Sequence, residues 1–132
     1  MARSIKQITD EHVSTVFARV KRFVARKFPA LSRTVLNLTC RDIAAERKRS
    51  ARSFMHTGHL DGPVICTWGV AAGVLDRATL AALFLHEFGH VAGHDEAGAD
   101  KWVFEHFGIP IQYVGPLRLE WADPGLLEEK GL

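Results

Sequence analysis

Apolar side chains recur in steps of three and four along the first part of the chain, at Val13, Val16, Phe17, Val20, Phe23, Val24 and Phe28. That is the period of an amphipathic helix, with Arg19, Lys21, Arg22 and Arg26 mostly on its wet side. Thr9 or Asp10 supplies an N-cap and Pro29 a stop. The period then changes. Residues 34–40 alternate roughly as a strand does. Residues 41–52 are dense in charge and read equally well as a short exposed helix or a loop. Residues 53–57 and 64–68 read as a second and a third strand, separated by turn signals at Gly58 and at Asp61, Gly62 and Pro63. Residues 69–75 form a small-residue connection.

Asp76 is a good N-cap for a helix that runs through Leu80, Leu83, Phe84, Phe88 and Val91. It is apolar nearly all round before His86, which predicts a central, buried helix, and Gly93 is a natural stop. A further helix covers roughly 95–107, carrying Trp102, Val103, Phe104 and Phe107, and Gly108 and Pro110 close it. Residues 109–132, punctuated by Pro116, Pro124 and Gly125, read as a wrapping tail with a loose end. Trp68, Trp102 and Trp121 read as core or pocket-lining residues. The sum is an α+β fold in one domain over 1–132: an N-terminal helix, a small twisted sheet of about three strands, the buried helix, and a second helix after it.

Composition narrows the class. The chain has 132 residues, 47% hydrophobic and 24% charged, the balance of a folded chain and not of a disordered one. No apolar run reaches the roughly 18 residues of a membrane span. The start, 1–6, lacks the apolar core of a signal peptide, so the expected location is cytoplasmic. Cys40 and Cys66 are too few for a disulfide scaffold. Without a CxxC pair they predict no cysteine zinc site, and they read as reduced, buried thiols that could pack near each other. Charge is uneven: residues 1–52 hold 13 Lys+Arg against 4 Asp+Glu, and residues 53–132 hold 4 against 11. A basic half can bind nucleic acid. The basic residues lack interleaved aromatics, however, and a solvated helix face accounts for them more simply.

The chemistry lies in His86-Glu87-Phe88-Gly89-His90 and the residues after it. His86 and His90 are four apart on a helix, so their imidazoles share a face and can hold one metal ion. Glu87 stands one step round, placed to act on a water that the metal activates. This HExxH arrangement serves metal-assisted hydrolysis. Shuffling 7 His and 8 Glu through 132 residues yields the motif roughly two times in a hundred, so its place late in a strong helix preceded by a strand matters as much as its letters. A catalytic zinc takes three protein ligands and leaves a position open. Glu96 is the candidate third ligand. His94, four residues after His90, is a rival if the helix runs through Gly93. Asp95 is a weaker one, with helix capping as its other role.

From these residues the chain resembles the zincin metallopeptidases. HExxHxxGxx followed by Glu96 is similar to the metzincin signature, although no methionine follows Met55 to make that group's methionine turn. Glu96-Ala-Gly-Ala-Asp100 looks like the ExxxD element of gluzincins, with a shorter insert than theirs. The resemblance covers about 76–104 and suits a minimal zincin-like protein, similar in size and motif to ImmA-like small peptidases. It implies Zn²⁺ held by His86, His90 and Glu96, with Glu87 as general base and Asp100 orienting a ligand histidine from behind. It also implies a peptide or protein substrate laid along an edge strand before the motif helix, with residues 64–68 as the candidate. Tyr113 is a candidate oxyanion stabiliser or a hydrophobic cover. His12, His56, His59 and His106 read as structural or exposed. So small a chain has little room for a walled cleft, which invites a homodimer or partner chain. Two other readings stand beside the peptidase. One is a non-catalytic or regulatory zinc-binding protein. The other is a DNA-associated protein using Arg47, Lys48, Arg49 and Arg52.

Overall fold

The computed structural model describes residues 2–49, 54–59, 61–115 and 119–132. Arg52, Ser53 and Pro116 lie outside the described residues, as do the side chains of Lys48 and Arg49. The architecture is α+β, with six α-helices, a three-stranded mixed sheet and a small two-stranded sheet among the described residues. Among those residues no helix is long and apolar enough to cross a membrane.

Helix α1 spans Ile5–Ala25 and begins a full turn before Thr9. Its start is a capping box, in which the Ser4 hydroxyl accepts from the Gln7 amide at 3.1 Å and the Gln7 side chain accepts from the Ser4 amide at 2.8 Å. Neither Thr9 nor Asp10 is the cap. The periodicity misses this first turn because Ile5 and Ile8 are exposed there, so no apolar stripe marks it. Thr9 is buried inside the helix, and its hydroxyl donates back to the Ile5 carbonyl at 2.9 Å. Pro29 does not itself end α1. It opens a separate 3-10 turn, Pro29–Arg33.

Strand β1 is only Val35–Asn37. The alternating pattern continues to residue 40, but the Asn37 side chain folds forward and accepts from the Thr39 amide at 3.0 Å, which takes the chain out of regular pairing. Only a bridge from Thr39 to Trp68 remains. The charged segment forms helix α2, Arg41–Arg49, with Ile43 buried. Strands β2, Met55–His59, and β3, Pro63–Thr67, form an antiparallel pair, and β1 joins β3 in parallel on its other side. The order β1-β3-β2 corrects one expectation. Strand β3 is central, with both ladders filled, and cannot accept a further strand; β2 is an edge.

A short helix α3, Gly69–Ala72, leads to α4, Arg77–Val91, whose cap is Asp76 accepting from the Thr79 amide at 2.7 Å. Positions 80–89 of α4 are all buried, the apolar residues as their character requires and His86 and Glu87 with them. Phe17 of α1 meets Phe84 edge-on at 5.4 Å and stacks on Phe88 at 5.9 Å. Ile65 and Met55 bring the inner sheet face into the same core. Helix α5, Glu96–Phe107, closes over α4, with Trp102 and Val103 buried.

Among the described residues, the end of the tail is packed and not loose. Strands β4, Gln112–Val114, and β5, Leu119–Trp121, pair antiparallel, and α6, Pro124–Glu129, follows. Leu127 and Leu132 are buried, and the Arg77 guanidinium donates to the Leu132 carbonyl. Trp121 is exposed and lies outside the core cluster.

Candidate metal centre

The site is built by the last turns of α4 and the first turns of α5. Gly93 has φ of 103°, a conformation that side chains other than hydrogen resist, and the chain reverses there. The His94 amide reaches back to the Gly89 carbonyl at 3.1 Å, closing α4. Asp95 then caps α5 by accepting from the Gly98 amide at 2.7 Å. Helix α5 returns so closely that a Cβ on Gly89 would lie 2.8 Å from both Cα and Cβ of Ala99. This contact sets Glu96 and Asp100 against the face that carries His86 and His90.

Hydrogen bonds fix both histidine rings. The His90 Nδ1 lies 2.8 Å from the His94 carbonyl oxygen, which can only accept, so Nδ1 carries the hydrogen. The His86 Nδ1 lies 2.8 Å from Asp100 Oδ1 and 2.7 Å from Glu120 Oε1, and donates to these carboxylates. Both Nε2 atoms therefore point to the front of the site, where they lie 2.9 Å apart. Two lone pairs at that distance repel unless a proton or a metal cation sits between them.

Glu96 completes the triangle. Its Oε1 is 2.7 Å from His90 Nε2 and its Oε2 3.4 Å from His86 Nε2. Tetrahedral zinc, with bonds near 2.0–2.1 Å, places its donors about 3.3 Å apart. The three donors would have to spread by only about 0.6 Å or less to take it. Residues and geometry therefore fit a His₂Glu zinc site.

The front of the triangle opens on a cleft of about 220 Å³ lined by Met55, His56, Thr57, Glu87, His90 and Glu96. Edge strand β2 forms one wall. Glu87 is buried, one of its carboxylate oxygens lies within 4.8 Å of the imidazole nitrogens, and Oε2 has no hydrogen-bond partner among the described residues. An unpartnered buried carboxylate oxygen is costly, and such groups mark places where a ligand or water completes the set.

The electrostatics follow from packing four carboxylates around two imidazoles. For His86, burial favours the neutral ring, but the hydrogen bonds and charges of Asp100 and Glu120 outweigh it and push the pKa up to about 11. Burial pushes Glu87 up to about 8, with His86 pulling it down and Glu120 and Glu96 pushing it further up. Glu120 is raised to about 7, again chiefly by burial. Burial would raise Glu96 too, but the charges of His86 and His90 hold it below the usual range. Burial, then Glu120, Asp100 and Glu96, push Tyr113 up to about 12.

The structure brings His86, Glu87, His90, Glu96 and Asp100 into one cluster. It does not bring in the side chains of His94 or Asp95. The His94 ring sits against Trp102, 6.2 Å between centroids, and Asp95 is engaged as the α5 cap. Tyr113 joins the site by donating to Glu96 Oε2 at 3.3 Å, so it is more than a hydrophobic cover. His12 contacts the Leu75 carbonyl at 2.9 Å and His106 packs on Phe28, both structural roles.

Sequence reasoning missed Glu120, Gly89 and the wall formed by His56. Glu120 is a single carboxylate in a tail with no local pattern to single it out. It reaches His86 because β5 pairs with β4, opposite Tyr113. Gly89 carried a signal inside the motif, a glycine in the middle of an otherwise apolar helix. No protein-family model, curated protein or solved structure matches the chain.

Proposed function

We propose that the chain is a minimal zincin-like, zinc-dependent peptidase. The observation that supports this best is the convergence of two imidazole lone pairs and the Glu96 carboxylate at the mouth of a cleft, with the unpartnered Glu87 carboxylate beside them. His86, His90 and Glu96 would hold the ion. Bound there, zinc supplies Lewis acidity, acidifying the attacking water and polarising the scissile carbonyl.

The chain's own residues do the rest. Glu87 takes the water's proton and passes it to the leaving amine, so the carboxylate is regenerated at the end of the cycle. Asp100 and Glu120 keep the His86 proton on Nδ1, and the His94 carbonyl does the same for His90. Tyr113, hydrogen-bonded to Glu96, stands at the rim, where it can also donate to the developing oxyanion. An extended peptide can add along the free edge of β2, which brings its backbone past Glu87.

The test pairs zinc content with cleavage of a quenched fluorogenic peptide library. Wild-type protein should hold zinc at the His₂Glu site and cleave. Glu87→Gln should keep the zinc and lose at least about 100-fold in rate. Equal cleavage by Glu87→Gln and wild type, or zinc held at this site with no turnover in either, would overturn the peptidase reading. The latter would leave a non-catalytic zinc protein.

A further inference from the structure

The three-stranded sheet gathers a second donor cluster that shares none of these ligands. His56 on β2 and Cys66 on β3 are direct cross-strand partners, so their side chains stand on one face of the sheet. Asn37 on β1 faces Cys66 from the other side. Cys40, at the start of α2, joins the group: its Sγ lies 3.5 Å from His56 Nε2, and the three donor atoms all lie within 4.8 Å of one another. Both cysteines are free thiols.

We propose that Cys40, His56 and Cys66 form a second metal site, one that takes a thiophilic d¹⁰ cation such as Zn²⁺ and clips β2, β3 and the start of α2 together. Zinc bonds of about 2.3 Å to sulfur and 2.0–2.1 Å to nitrogen put S and N donors about 3.6 Å apart in a tetrahedron, close to the observed 3.5 Å. A Cys₂His set is neutralised by a divalent ion once both thiols release their protons to solvent. The surrounding groups support it. Asn37 Oδ1 accepts from both the amide and the hydroxyl of Thr39, which turns its NH₂ toward Cys66 Sγ at 3.9 Å. Such N–H donors to sulfur typify the outer shell of thiolate sites. Cys40 is buried while Cys66 and His56 are partly exposed, so an ion can enter and water can fill the fourth position.

The site has a mechanical consequence. It ties edge strand β2, a wall of the cleft, to β3 and to the start of α2. The ligands come from three separated segments, which is why no CxxC spacing announced them.

Cobalt distinguishes the two centres, because only this one contains sulfur. Reduced full-length protein titrated with Co²⁺ should bind two ions per chain and develop a near-ultraviolet thiolate-to-cobalt band. Cys66→Ser should abolish that band and drop the stoichiometry by one, while Glu96→Ala should leave the band in place. Should Cys66→Ser fold poorly, wild type alone decides. Zn²⁺ should slow alkylation of both thiols at least tenfold and raise Tm, and a chelator should reverse both effects. No thiolate band at saturating Co²⁺, or thiols that zinc does not protect, would overturn the proposal. So would a Cys40–Cys66 disulfide that forms in the presence of zinc. None of these results depends on whether the His₂Glu site is catalytic.

Discussion

Gly89→Ala tests whether helix packing, and not the motif letters alone, sets the metal geometry. The added Cβ would stand 2.8 Å from Ala99 Cα, 2.8 Å from Ala99 Cβ and 3.0 Å from Ala99 O. Carbon contacts relax at about 3.5–4.0 Å, so α5 must retreat from α4 by roughly 0.7–1 Å. Neither helix can give this up by rotating a side chain, because two of the three clashing atoms are backbone. Glu96 and Asp100 move with α5, while His86 and His90 stay with α4. The Asp100–His86 contact would stretch from 2.8 Å to about 3.6 Å, beyond hydrogen-bond range. Overpacking of this kind costs about 1–3 kcal/mol, a Tm loss on the order of 5–10 °C for a domain of this size. Zinc affinity should fall about 10–100-fold, the range seen when outer-shell partners are lost. Competition with a chromophoric chelator measures the affinity and thermal melting of the zinc-free protein measures the stability. Adding Ala99→Gly should restore only part of each, since the Ala99 Cα and carbonyl oxygen remain in the way. A folded Gly89→Ala protein with wild-type Tm and zinc affinity within twofold of wild type would refute this account of the site.

Glu120→Gln removes one of the two carboxylates that accept from His86 Nδ1, and zinc affinity should drop about 10-fold or more while the fold persists; unchanged affinity would make Asp100 the sole orienting partner. His94→Ala should leave zinc binding at the His₂Glu site within about twofold, because only the His94 backbone carbonyl touches His90; loss of the ion would return His94 to the ligand set. Chelated protein should become less stable as pH rises from 5 to 8. In the fold, His86, Glu87 and Glu120 hold their protons up to about 11, 8 and 7, against 6.5, 4.5 and 4.5 unfolded, so the folded state binds more protons throughout that window. The His86 contribution is complete below about 6.5 and disappears through about 11, and Glu96, which is lowered, acts only below 4.5 and so outside the window. Tm of metal-free protein across that range is the measurement, and a flat or rising profile would contradict the assignment. Ser4→Ala should cost about 1 kcal/mol through loss of the α1 capping box, read by denaturant melting, with no effect on zinc binding.

The residues that could be read from sequence are those whose chemistry is local. A helix apolar nearly all round before His86 has to be buried there, and positions 80–85 of α4 are. His86 and His90 share a face because a helix repeats every 3.6 residues, and Gly93 turns the chain because few other residues accept its φ. Asp76 and Asp95 cap their helices by reaching an amide three residues ahead. Even the local reading failed where a stronger competitor lay nearby, as when the Ser4–Gln7 box displaced Thr9 and Asp10, or when Asn37 ended β1 early. Tertiary structure alone decided the rest. Which strand is the edge depends on pairing order, and that moves the proposed peptide-docking edge from β3 to β2. Glu120 comes to His86 across 34 positions of chain through a strand pair that no short pattern encodes. Cys40, His56 and Cys66 meet only because the antiparallel β2–β3 register pairs His56 with Cys66 and the Cys40 amide is held on the Thr67 carbonyl at 3.0 Å. Local periodicity sets which way a side chain points, but only the packing of distant segments sets what it finds there.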